Sequence, residues 1–124
     1  PEDLQGRGGA APLFTQRIIA MIDLSKVKKL KQTDLPPTLQ IFEQAGGVAF
    51  AGHFHDFIFI VTQDKDGQTE LSLTSKDPTK RPSNEALMAF LYTCFAGENI
   101  SVSETERPSR RVRHLVLRQR KIHA

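Results

Sequence analysis

The chain has 124 residues, of which 39% are apolar and 25% are charged. This length and composition are typical of one folded unit, and they exclude collagen, coiled coils and wholesale disorder. The 17 basic and 14 acidic side chains leave a formal net charge of only +3, so the overall charge does not indicate a function.

The single cysteine, Cys94, excludes an internal disulfide and a cysteine-rich zinc site. Cysteine usage therefore favours a reducing, cytoplasmic setting. The longest apolar runs have the length of strands and fall short of the about 20 residues that a membrane-spanning helix needs. We predict neither a membrane segment nor a signal peptide, because the N-terminal stretch lacks cationic and apolar regions in the required order.

Residues 1–12 are rich in Gly, Pro and polar side chains. This composition predicts a flexible N-terminal tail, because such a segment cannot bury enough apolar surface to become ordered. The remainder, residues 13–124, is predicted to form a single α+β domain.

The stretch that follows the tail fits two kinds of element. A helical stripe would place Phe14, Ile18 and Met21 on one side, whereas the alternation around Ile22 is typical of a strand. We favour the strand, over residues 17–23, because its centre is compact and apolar. Four lysines behind it are expected in solvent, namely Lys26, Lys28, Lys29 and Lys31.

A short helix is predicted next, over about residues 36–45. The pair Pro36–Pro37 is tolerated in a first helical turn, and Thr33–Asp34 would supply the N-cap. The pair Gly46–Gly47 ends the helix, since glycine accepts the left-handed conformation without a clash of a Cβ atom.

The most strand-like stretch runs from Val48 to Thr62, with a bend or bulge expected at Gly52–His53. Its second part, Phe57–Thr62, is apolar on both sides, which is typical of an interior strand. The sequence Asp64–Gly67 predicts a turn with positive φ at the glycine. The returning strand of this hairpin is predicted at Thr69–Ser75.

Ser83 is a good N-cap for a helix that runs to about Phe95 and is ended by Gly97. The apolar stripe of this helix consists of Leu87, Phe90, Leu91 and Cys94. Two short strands are predicted after it, over residues 99–103 and 111–118.

Strands outnumber helices in this order, and short turns join them. The sequence therefore predicts an α+β fold of two layers, a mostly antiparallel sheet with helices packed on one face. In the last strand Leu115 and Leu117 are expected to face the helices, and His114 and Val116 the opposite side.

Part of the chain also follows a known pattern. The first strand of that pattern is similar to Thr69–Thr74. The start of the pattern's helix is matched by Asn84, Ala86 and Leu87, and its second loop and basic strand are matched by Ser109–Val112. In these features residues 69–118 resemble the YggU-like DUF167 family. The resemblance implies mainly a fold, in which a strand, a helix, a strand and a basic strand follow one another.

The chain departs from the family pattern at two places. Arg81-Pro82 stands where the family has Gly-Lys, and Glu106-Arg107-Pro108 is inserted in the second loop, which also lacks its glycine. The family's own function is poorly defined, so the resemblance does not supply a function.

Basic side chains are concentrated at the C-terminal end. Residues 1–79 hold 8 basic and 10 acidic side chains, whereas residues 80–124 hold 9 basic and 4 acidic ones. Clusters of this kind bind phosphate backbones by charge neutralisation and release of counterions. We therefore predict a small basic module that binds nucleic acid, RNA favoured. Its candidate contact residues are Lys80, Arg81, Arg107, Arg110, Arg111, Arg113, Arg118, Arg120 and Lys121.

On a strand Arg111 and Arg113 would share a face, so that the charge forms a stripe. The alternative is a protein-interaction, assembly or regulatory subunit that uses a sheet edge and an exposed aromatic patch near Phe54 and Phe57. The basic segment would also suit an acidic protein partner, or serve only as a solvated edge. No membrane partner is predicted, and the oligomeric state stays open.

A candidate secondary site contains His53 and His55, which on one strand would project to the same side near Asp56. Two imidazoles can begin a metal site or an acid–base pair, but they do not complete one. We predict no metal and no cofactor, and we rank a hydrolase or nuclease last behind the binding functions. Cys94 lies on an apolar helix face, which is more typical of a buried side chain than of a nucleophile.

Overall fold

A computed structural model describes residues 21–106 and 109–120. The predicted flexible tail over residues 1–12 lies outside the described residues. The described elements, in chain order, are α1 (Ser25–Lys28), α2 (Pro37–Gln44), β1 (Val48–Phe54), β2 (Phe57–Gln63), β3 (Thr69–Ser75), α3 (Asn84–Phe95), β4 (Ile100–Thr105) and β5 (Val112–Gln119). The strands form one five-stranded sheet in the order β1-β2-β3-β5-β4, and every neighbouring pair is antiparallel. The predicted α+β class is confirmed.

Burial alternates along the three interior strands, and one face of the sheet carries the core. Helix α3 lies on this face through Phe90, whose ring centroid is 5.1 Å from that of Phe59 and 5.9 Å from that of Phe57. Leu115 and Leu117 of β5 are buried in the same cluster, as the alternation of the sequence predicts. The face turned away from α3 is called the second face below.

Helix α1 was not anticipated from the sequence. Val27 at its centre is completely buried in the core cluster, while the flanking Lys26 and Lys28 are exposed, as expected for solvated lysines. Of the strand predicted over residues 17–23, positions 17–20 lie outside the described residues. Residues 21–24 lead into α1 without strand structure.

The bend expected at Gly52–His53 is wrong, because β1 pairs with β2 without interruption up to Phe54 opposite Phe57. A Cβ atom at Gly52 would stand only 2.1 Å from the carbonyl oxygen of Lys31 and 2.6 Å from the Phe59 ring. The glycine therefore permits a close approach within a continuous strand. The chain reverses at His55, which has a φ of 54°.

The two main helices differ in how they begin. Ser83 caps α3 as predicted, and its Oγ accepts a hydrogen bond of 3.0 Å from the backbone N–H of Ala86. Helix α2 begins after Pro36 without any side-chain cap, so the cap predicted at Thr33–Asp34 is wrong. The chain at Thr33 is instead engaged with β1, because its N–H donates to the carbonyl of Ala51 at 2.8 Å.

Within residues 21–106 and 109–120, no helix is both long and apolar enough to cross a membrane.

The packing of Phe90 on the sheet gives a stability prediction. Phe90→Ala should lower the free energy of unfolding by about 3 to 5 kcal/mol, because it leaves a cavity against Phe57 and Phe59. Tyr92→Ala on the exposed side of the same helix should change it by less than about 0.5 kcal/mol. Urea unfolding followed by circular dichroism measures both values. Equal destabilisation by the two variants would contradict this account of the core.

Candidate functional site

Strand β5 and its flanks carry most of the basic residues predicted to bind nucleic acid. Arg107 and Lys121 lie outside the described residues. The other seven fall into three groups, one at each end of β5 and a third, Arg81 and Arg113, that is bound to Glu104.

Arg113 belongs to the interior, with only 8% of its surface exposed. It shares the core-facing side of β5 with Leu115, because residues two apart on a strand point the same way. Its guanidinium binds Glu104 through two hydrogen bonds of 2.6 and 2.9 Å. Its NH1 group also donates to the carbonyl of Pro82 at 3.1 Å and to Oδ1 of Asn84 at 2.9 Å. These bonds occupy Arg113 within the fold.

The stripe expected from Arg111 and Arg113 is therefore wrong. Arg111 precedes β5 and is exposed, with its Nε donating to the carbonyl of Ser75 at 2.9 Å. The sequence pattern could have indicated the buried position of Arg113, since it stands two residues before Leu115 in an alternating strand. A cation there requires a partner of opposite charge, and the sequence does not show which carboxylate supplies it.

Glu104 of β4 is that partner, and it also binds a second cation. Its Oε2 lies 2.8 Å from NH2 of Arg81, whose NH1 donates to the carbonyl of Ser109 at 2.7 Å. The hydrogen bonds from Arg113 hold the pKa of the Glu104 carboxyl below its ordinary value; burial opposes this, and the charges of Arg113 and Arg81 add to it. Glu104 therefore neutralises part of the charge that the sequence places in the basic segment.

The remaining cations at the start of β5 form the first cationic end, which consists of Lys76, Lys80, Arg110 and Arg111. Two backbone hydrogen bonds assemble it: Ser75 N–H donates to Arg111 at 3.0 Å, and Lys76 N–H donates to Asp56 at 2.9 Å. Lys76 was missing from the predicted set. Its Nζ donates to the carbonyl of His55 at 3.3 Å, a contact across the chain that no local pattern indicates.

Asp77 lies in the loop that carries this first cationic end. Hydrogen bonds from the Thr79 hydroxyl and the Thr79 backbone N–H lower the pKa of its carboxyl, as does the nearby Lys80. Asp77 is therefore ionised at neutral pH and offsets part of the local positive charge.

The second cationic end consists of Arg118 and Arg120, both exposed. Arg120 follows β5, and its backbone N–H donates to the carbonyl of Asn99 at 2.9 Å. A strand rises about 3.3 Å per residue, which separates Arg111 from Arg118 by about 23 Å along β5.

The second face of the sheet lies between these ends. Its side chains on the interior strands are half-buried, and Glu70 is the one carboxylate that the described strands place there. Its Oε1 lies 2.9 Å from Nε2 of His114, whose Nδ1 lies 3.3 Å from the hydroxyl of Thr105. The second face therefore carries one carboxylate on the described strands, and that carboxylate is hydrogen-bonded to the His114 ring.

The predicted pairing of His53 with His55 is wrong. His53 lies within β1, whereas His55 has left the strand and is exposed in the turn. The Phe54 and His55 rings meet edge to face with centroids 4.4 Å apart. Across the described part of the chain, no three His, Cys, Asp or Glu side chains are close enough to hold a metal ion.

Two other predictions concern apolar residues. Burial raises the pKa of the Cys94 thiol to about 11, so it stays protonated at neutral pH, as a structural residue would. The aromatic patch expected near Phe54 and Phe57 is wrong, because Phe57 is completely buried and Phe54 packs against the core. Among the described residues of the second half, the exposed large apolar side chains are instead Met88, Tyr92 and Val102.

A scan of protein-family models, a search of curated proteins and a search of solved structures each returned no match for this chain. The resemblance to the YggU-like family stays a prediction.

The Glu104–Arg113 pair predicts how stability depends on pH. A carboxyl whose pKa is lowered by folding stabilises the protein above its unfolded pKa of about 4.3, and this contribution is lost as the pH falls through the folded value. Glu104→Gln should therefore lower the free energy of unfolding at pH 7 by about 2 to 3 kcal/mol, because it weakens the pairing of a buried guanidinium. The difference from the wild type should shrink as the pH is lowered below the unfolded pKa.

Urea unfolding over this pH range tests the prediction. Glu43→Gln, at an exposed position of α2, is the matched control and should show neither effect. A difference between Glu104→Gln and wild type that stays constant down to low pH would show that the charge of Glu104 is not the stabilising feature.

Proposed function

We propose that this chain is a small binding module for nucleic acid, RNA favoured, whose contacts are made by the two cationic ends of β5. One observation carries the proposal. Exposed cations stand at both ends of a strand that crosses the second face, and the described strands place a single carboxylate on that face, Glu70. A polyanion that lies along β5 would therefore meet attraction at both ends.

The groups at the first cationic end suit phosphates. Arg111 is anchored through its Nε, which leaves its two terminal nitrogens to form the parallel hydrogen bonds that an arginine makes to a phosphate. Lys80 adds a point charge nearby, and Arg110 is exposed beside it. Such contacts neutralise phosphates without distinguishing bases, so we expect affinity that depends strongly on salt and weakly on sequence.

The second face indicates how the rest of the ligand would be contacted. The described strands place no Phe or Tyr there, which argues against a platform for stacking bases. Hydroxyl groups are plentiful, on Ser72, Thr74, Ser101, Ser103 and Thr105. Hydroxyls can bond to phosphate oxygens and to the ribose 2′-hydroxyl, which supports RNA as the favoured ligand.

Charge reversal at each end tests this function. Arg110→Glu with Arg111→Glu, and separately Arg118→Glu with Arg120→Glu, should each weaken binding about tenfold or more and reduce the salt slope by about 1 to 2. The probes are a labelled single-stranded RNA and a DNA duplex, each about 16 nucleotides long. This length exceeds the separation of the two cationic ends, because about 23 Å corresponds to about seven base steps. Fluorescence anisotropy at about 50 and 200 mM salt measures the affinity.

Lys28→Glu with Lys29→Glu is the matched control, because it makes the same change in net charge at exposed positions that belong to neither cationic end. Circular dichroism confirms that each variant is folded. The proposal fails if the wild type does not bind either probe at the lower salt, or if the control weakens binding as much as the β5 variants do.

A protein-interaction function is the second candidate. Its predicted aromatic patch is not present at Phe54 and Phe57, but its predicted sheet edge is available. Within the described residues, β4 is the last strand of the sheet and pairs only with β5.

A further inference from the structure

We propose that the pair formed by His114 and Glu70 makes the affinity for nucleic acid depend on pH, with tighter binding when His114 is protonated. The inference rests on the proposed function, and it assigns a regulatory role to two side chains outside the predicted contact set. The pair carries one negative charge when the imidazole is neutral and no net charge when it is protonated. Histidine changes its charge between about pH 5 and 8, so the charge of the second face changes over this range.

The pair lies between the two cationic ends. His114 stands three positions after Arg111 and four positions before Arg118, which corresponds to about 10 Å and about 13 Å along β5. A polyanion that lies along β5 and contacts both ends would pass over His114. The Glu70 side chain is 36% exposed, so its charge acts on a ligand at this surface.

The hydrogen bonds of His114 fit both protonation states of its ring. Its Nε2 lies 2.9 Å from Oε1 of Glu70, and its Nδ1 lies 3.3 Å from the hydroxyl of Thr105. In the neutral ring Nε2–H donates to the carboxylate and Nδ1 accepts from the hydroxyl. In the protonated ring both nitrogens donate, and the hydroxyl rotates to accept. Protonation therefore changes the charge of the pair without requiring either side chain to leave its position.

Glu70 is the charged side chain that the described strands place against His114. The residues opposite or beside His114 on this face are uncharged, namely Ser72, Thr105, Val112 and Val116. Glu104 of β4 points to the core-facing side, where two arginines bind it. Among the neighbours that the described strands provide, the change in charge of His114 is therefore not compensated.

The expected effect is moderate because the pair is only partly buried. One unit of charge about 7 Å from a phosphate changes the affinity by about threefold to tenfold, for an effective dielectric constant between about 80 and 40. Salt screens this interaction, so the pH dependence should be larger at about 50 mM salt than at about 200 mM salt.

The test measures RNA affinity by fluorescence anisotropy at about pH 5.5 and about pH 8, a range that lies above the titration of ordinary carboxyl groups. The probe is a labelled oligo-uridine of about 16 nucleotides, because its bases and phosphodiester groups keep their charge over this range. The starting protein has the other three histidines, His53, His55 and His123, replaced by Gln. This protein should bind about threefold or more tightly at the lower pH, and adding His114→Gln should hold the affinity at the weaker value.

Circular dichroism checks that the starting protein is folded. If it is not, the ratio of the affinities at the two pH values is compared between the wild type and His114→Gln alone. The contributions of the other histidines are the same in these two proteins, so the difference between the ratios belongs to His114. The same threefold or larger difference is expected.

Glu70→Gln tests the other member of the pair. It should raise the affinity at about pH 8 by about threefold or more, because it removes the negative charge that the neutral imidazole leaves uncompensated. Glu85→Gln is the matched control, since it makes the same change in charge at an exposed position of α3, on the opposite side of the sheet. The control should stay within about twofold of wild type.

Three outcomes would overturn the inference while the proposed function stands. They are equal RNA affinity at the two pH values, a pH dependence that His114→Gln leaves intact, and equal gains from Glu70→Gln and Glu85→Gln. Absence of RNA binding by the wild type at both pH values would instead overturn the proposed function, and the inference with it.

Discussion

Contact between Phe90 and the phenylalanines of β2 determines which side of the sheet is interior. Once α3 covers that side, every residue of the interior strands is assigned to the core or to the second face by its position in the alternation. The position of Arg113 among buried leucines follows directly from this assignment. So does the composition of the second face, which holds His114 and most of the strand hydroxyls.

Burial of Arg113 has two consequences. Its guanidinium joins β4 through Glu104 to the beginning of α3 through Asn84, and so determines how α3 stands beside β4. Glu104 also neutralises the charge of Arg113 and part of the charge of Arg81, so these side chains contribute less to binding of a phosphate. The basic segment is thereby divided into two ends separated by a strand.

The predictions that succeed depend on neighbouring residues. Strand β3 has the predicted bounds, since its alternation and its Gly67 turn are local signals. Helix α3 is capped by Ser83 for the same reason. The prediction of a bend at Gly52 fails because glycine is required there for a different reason. A Cβ atom at this position would clash with the carbonyl oxygen of Lys31, which belongs to a segment about 20 residues earlier in the chain. The pairing of His53 with His55 fails with it, since the turn lies at His55.

The sequence by itself determined the α+β class, the alternation of the interior strands and the concentration of basic residues near β5, because hydrophobic period, capping and composition are properties of short segments. Only the tertiary structure decided which cations are exposed. That outcome depends on Glu104, Pro82 and Asn84 meeting Arg113 from three separate segments. It also decided which sheet edge is covered. Contacts between distant segments arise when the whole chain buries its apolar surface, and no short window of sequence contains them.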